Sequence, residues 1–124
     1  MKLNLLFVIN TVLAGLFGLG LIFAPAFITG LYGVELAPAG LVISQMLGSC
    51  LVGIAILSWL GRGFTDFAVR QNLAMIFFLG YLINLVISFI AQINGVLNAL
   101  AWVNVAGYGL LALGFGYFIL TKKN

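Results

Sequence analysis

Residues 61–72 read Gly-Arg-Gly-Phe-Thr-Asp-Phe-Ala-Val-Arg-Gln-Asn (GRGFTDFAVRQN), the one long polar interruption in an otherwise apolar chain. The stretch holds both arginines, Arg62 and Arg70, and Asp66, one of two acidic residues in the 124. On each side of it lie two apolar runs long enough to cross a bilayer. Residues 61–72 therefore join two helical hairpins, and the expected fold is all-α: one domain, residues 1–124, forming a transmembrane four-helix bundle.

Composition leads to the same class. Hydrophobic residues make up 65% of the chain and charged residues 6%, whereas a soluble domain needs roughly a quarter of its residues charged to clothe its surface. The net charge of +3 comes from five basic residues spread over three segments, which make no nucleic-acid patch. Cys50 is the only cysteine and histidine is absent. That excludes an internal disulfide or Cys-x-x-Cys pair, and it removes the commonest metal ligand and general base. No catalytic residue, cofactor site or metal site is expected, and the chain reads as a non-enzyme.

Working outward, the four spans are expected at about 3–24, 40–60, 73–93 and 97–120. The first, Leu3 to Ala24, has 22 residues and at roughly 1.5 Å per residue matches a hydrocarbon core of about 30 Å. A signal-peptide core is typically ~7 to 15 residues, so this run reads as an uncleaved helix. Pro25 to Ala39 (PAFITGLYGVELAPA) is too broken to cross the bilayer and reads as a short interfacial segment between helices 1 and 2. Small residues recur on helix faces, with Thr11, Gly15 and Gly18 on the first and Ala101, Gly109, Ala112 and Gly116 on the last, and Gly53 on the second. Such faces let helix backbones approach in lipid, where the hydrophobic effect does not distinguish protein from solvent.

Four spans put both termini and residues 61–72 on one side. Lys2, Arg62, Arg70, Lys122 and Lys123 all fall there, while the opposite connections carry Glu35 and no basic residue. By the positive-inside rule that side is cytoplasmic, and these five residues are the anchors. Asp66 with either arginine reads as a solvated loop pair contributing only ~0.2 to 1 kcal/mol.

Polar side chains within the spans are uncharged. Gln45 and Ser49 share a face of the second span, Asn84, Ser88 and Gln92 recur every four residues in the third, and Asn98 and Asn104 lie on the fourth. Together they crowd the outer half of the bundle, either as a vestibule for a neutral lipophilic ligand such as a lipid or quinone, or as interhelical hydrogen bonds. Without an acid or base inside any span, a proton-coupled pump is not expected. Tyr81 needs a hydrogen-bond partner, for which Asn84 is one turn away, and Cys50 reads as a packing residue.

The run Leu31-Tyr32-Gly33-Val34-Glu35-Leu36-Ala37-Pro38-Ala39-Gly40, continued by Gln45-Met46-Leu47-Gly48 and closed by Trp59-Leu60, resembles small uncharacterised bacterial four-helix membrane proteins, loosely DoxX-like. The resemblance implies a bacterial inner membrane and carries over no functional residue. The function expected from the sequence is an accessory or scaffolding subunit, packing through small-residue faces against itself or other membrane subunits. The alternative is a binding or transport protein for a small lipophilic or quinone-like molecule at the outer-half polar cluster.

Overall fold

The computed structural model describes residues 2–122. Its elements are α1 (Leu3–Phe23), α2 (Pro25–Leu31), α3 (Pro38–Gly61), α4 (Phe67–Ile93) and α5 (Ala101–Leu120), and there is no strand among the described residues. Four of these helices, with 21, 24, 27 and 20 residues, are long and apolar enough to cross a membrane. At roughly 1.5 Å per residue they measure about 30 to 40 Å.

Local chemistry moves several boundaries from their expected positions. Pro25 does break the chain, but it then starts the two-turn helix α2 at the position where proline's missing N–H costs nothing. Pro38 likewise begins α3 two residues early. Half of the polar stretch 61–72 is helix, because Asp66 caps α4 by accepting from the Ala68 and Val69 amides at 2.8 and 3.4 Å. At the last span the opposite correction applies: Asn98 lies outside α5, in the connection that precedes it.

The bundle is two helix pairs, α1 against α3 and α4 against α5, with a lighter contact between α1 and α5. Thr11, Gly15 and Gly18 line the first pairing: Thr11 donates to the Ala55 carbonyl at 3.2 Å, and Gly15 faces Ala55. Gly18 meets Gly48, and there the two backbones touch. A Cβ on Gly18 would stand 2.8 Å from the Gly48 carbonyl oxygen, and one on Gly48 would stand 2.6 Å from that of Gly18. In the second pair Gly109 faces Leu85 and Gly116 faces Phe78, while Ala112 is buried in the core. Gly53 is open on the outside of α3, with nothing within 4 Å of an added Cβ.

The two pairs join at the end that carries residues 61–66. Phe7, Phe77 and Phe115, from α1, α4 and α5, form a triangle with ring centroids 5.2 to 6.2 Å apart. Arg70 fastens this end. It is 6% exposed, not the solvated loop charge expected, and its guanidinium donates to the Gly61 carbonyl at 3.1 Å, the Phe64 carbonyl at 3.3 Å and Asn4 Oδ1 at 2.6 Å. One side chain of α4 thereby ties the first turn of α1 to the last turn of α3, whose C-terminal end attracts a cation. Gln71 completes the set by donating to the Phe118 carbonyl of α5 at 3.1 Å.

Arg62 folds back over the Trp59 ring at 3.4 Å and bonds the Trp59 carbonyl. Lys2 and Lys122 flank the same end, exposed. Lys123 lies outside the described residues.

Candidate functional site

One turn beyond the phenylalanine triangle the interior becomes polar. Asn10, on α1, is fully buried; it donates to Ser58 Oγ of α3 at 2.6 Å and accepts the Tyr81 hydroxyl of α4. One buried asparagine of α1 thus links both helix pairs. In lipid such a bond contributes about 0.6 kcal/mol on average and up to about 1.7, and removing Asn10 takes the partner from both Ser58 and Tyr81.

Above this bridge the pairs part. Between them lies a cleft of about 210 Å³, lined on one side by Leu13, Ala14 and Phe17 of α1 with Leu51 of α3. Tyr81 of α4 and Val103, Asn104, Gly107, Tyr108 and Leu111 of α5 form the other side. The Tyr81 and Tyr108 rings stack at 6.0 Å and 25°. Gly107 leaves the slot open, since an added Cβ there would meet nothing within 4 Å. Leu13 and Val103 at the rim are 50% and 65% exposed, so in a bilayer the cleft opens sideways to lipid.

A strap crosses the far end. Tyr32, at the end of α2, packs its ring edge-on to Phe17 at 6.3 Å and donates its hydroxyl to Asn104 Oδ1 at 3.0 Å. The Tyr32 carbonyl accepts from the Asn98 amide, and Asn98 Nδ2 donates to the Leu31 carbonyl. Gly33, at φ +75°, turns the chain directly against Asn98. The interrupted segment after α1 therefore fastens the α1–α3 pair to the α4–α5 pair.

Comparison with known proteins finds no family model, no curated protein and no solved structure that matches this chain.

The cleft collects a different set of residues from the one the sequence singled out. Of the seven polar residues expected to cluster, Asn104 alone lines the cleft. Gln45 bonds the Ile22 carbonyl and stays exposed, and Ser49 is exposed on α3. Asn84 is exposed and Ser88 half-buried on α4. Gln92 donates to the Asn98 carbonyl, its Oε1 being buried without a partner. Asn98 belongs to the strap, and Tyr81 pairs with Asn10 rather than Asn84. Cys50 is exposed on the surface of α3, not packed.

Sequence reasoning passed over Asn10 and Phe17, read Ser58 only as a polar residue of the second span, and read Gly107 only as part of a small face with Asn104 and Gly114. The available signal was Asn10 itself, an amide well inside the first span, whereas Asn4 lies at its start. The residues lining the cleft are uncharged, so they offer hydrogen bonding, ring stacking and van der Waals contact.

Proposed function

We propose that this protein sits in a bacterial inner membrane, with the Arg70 end and both termini on the cytoplasmic side, and holds a small lipophilic molecule in the cleft between its helix pairs. The binding reading is carried by one observation: the pairs are locked at one end and strapped at the other, yet they part between and leave 210 Å³ with polar groups at its wall. An engineered cavity of about 150 Å³ is enough to hold benzene, so the space suits one ring or a short chain. The orientation rests on the grouping of Lys2, Arg62, Arg70 and Lys122 at one end and Glu35 at the other.

Two measurements test these statements. With Cys50 replaced by serine, cysteines introduced at Thr65 and at Gly95 should differ in intact cells. A membrane-impermeant maleimide will label Gly95→Cys and leave Thr65→Cys unlabelled until the membrane is opened; the reverse pattern overturns the orientation. For binding, Gly107→Leu fills the slot where nothing stands and, being a better helix former by up to about 1 kcal/mol, should keep the fold. Protein extracted in mild detergent is expected to carry a lipophile in native mass measurement, and Gly107→Leu is expected to lose it. Equal occupancy in both proteins would place the molecule outside the cleft.

The accessory-subunit reading is favoured by a separate observation. Gly53 and Gly80 leave open surface on α3 and α4, where another helix backbone fits closely. Co-purification of a second membrane protein in the same mass measurement, lost in Gly53→Leu with Gly80→Leu, supports it; a lone chain overturns it.

A further inference from the structure

We infer that the cleft is built for a flat, uncharged ring bearing a hydrogen-bond acceptor, such as a ring carbonyl, whose aliphatic part stays in the bilayer between Leu13 and Val103. This rests on the binding role proposed above and narrows it to a class of ligand.

Charge is settled by the lining. No Asp, Glu, Lys or Arg borders the cleft, and the nearest buried cation, Arg70, is held by Gly61, Phe64 and Asn4 at the closed end. An ion brought to this depth would lose its hydration with no partner to replace it. Hydrogen-bond polarity follows from what the protein already uses. The Tyr81 proton goes to Asn10 and Asn104 Oδ1 takes the proton of Tyr32. Asn104 is left with its amide N–H groups and Tyr108 with its hydroxyl, and no group among the described residues accepts from either. Both residues are only partly buried and border the cleft, which opens on lipid and not on water; donors there have no solvent to turn to, so an acceptor on the ligand is what this wall rewards.

Shape follows from the aromatic walls. The stacked Tyr81 and Tyr108 rings form one side, Phe17 stands on the other, and the missing side chain of Gly107 leaves the gap between them. Phe17 and Tyr108 thus offer aromatic contact from the two walls, which favours a ring over a flexible chain because ring–ring contact adds to area burial. The volume admits one substituted ring and excludes the paired chains of a phospholipid.

The test uses the full chain in lipid nanodiscs, with Gly107→Leu as the blank for simple partitioning. The probe is a para-benzoquinone carrying a decyl chain, and binding is read as saturable quenching of tyrosine and tryptophan emission. Decylbenzene supplies a ring without an acceptor and a short-chain diacylglycerol supplies acceptors without a ring; their affinities are read by displacement of the quinone. The quinone is expected to bind more tightly than either. Tyr108→Phe, which keeps the ring and the fold, should weaken it roughly three- to tenfold and leave decylbenzene unchanged. Asn104→Leu should do the same, whereas Tyr32→Phe, which removes only the strap bond, should not. Equal affinity for decylbenzene, tighter binding of the diacylglycerol, or indifference to Tyr108→Phe overturns the ring-acceptor inference and leaves the binding role standing. Quenching no greater than in Gly107→Leu, with no displacement by the other two lipophiles, overturns both.

Discussion

Replacing Arg70 with leucine is expected to lower the stability of the bundle by about 2 to 4 kcal/mol, measured by unfolding in mixed micelles with a denaturing detergent. Arg70 makes three bonds, to Gly61, Phe64 and Asn4, with only 6% of its surface exposed. Bonds from a charged donor contribute about 1.5 to 3 kcal/mol each, and loss of the donor leaves the Phe64 carbonyl and Asn4 Oδ1 unpaired, while the Gly61 carbonyl keeps the Phe64 amide. The sum is reduced because the helix ends can rehydrate once the side chain is gone. Arg70→Lys should restore less than half of the loss, since one ammonium cannot span three acceptors that a planar guanidinium reaches together. Arg62→Leu removes the same charge from the same end. It should cost no more than about 1 kcal/mol, the worth of an exposed cation over an aromatic ring. Equal losses for Arg62→Leu and Arg70→Leu would show that charge at this end matters and the clamp does not.

Alanine at Gly48 should destabilise the protein by about 1 to 3 kcal/mol, although alanine is the better helix former by up to about 1 kcal/mol. The added carbon would lie 2.6 Å from the Gly18 carbonyl oxygen and 2.9 Å from Leu21 Cβ. Both are rigid parts of α1, so the helices must separate and give up packing along their length. Gly53→Ala, on the same helix with nothing within 4 Å, should be neutral or stabilising. The opposite signs make the comparison decisive in the same micelle unfolding assay. If Gly48→Ala is as harmless as Gly53→Ala, α1 and α3 do not cross at Gly18 and Gly48.

These two sites explain how a cleft persists in so small a bundle. Arg70 and the phenylalanine triangle hold all four long helices together at one end, and the Tyr32–Asn104 and Asn98 bonds fasten the other. With the ends fixed, the pairs can part between them, each pair staying intact through contacts such as Gly18–Gly48. Opening the strap alone would leave the clamp in place.

The sequence by itself determined that four helices are long and apolar enough to cross a bilayer, because uninterrupted apolar runs and their proline, glycine and charged breaks are local properties of the chain. It also placed Lys2, Arg62, Arg70 and Lys122 together at one end. What the tertiary structure alone decided is which helix pairs with which and which polar residues turn inward. The most regular polar stripe, Asn84, Ser88 and Gln92, leaves Asn84 exposed and Ser88 half-buried, while Asn10, part of no such stripe, is fully buried and bridges both pairs. In water an amphipathic helix reveals its inner face by being apolar there. In lipid the surroundings are as apolar as the core, so spacing marks out a face without saying which way it points. Only the packing of one backbone against another, Gly48 on Gly18 and Arg70 across Gly61 and Asn4, fixes that direction.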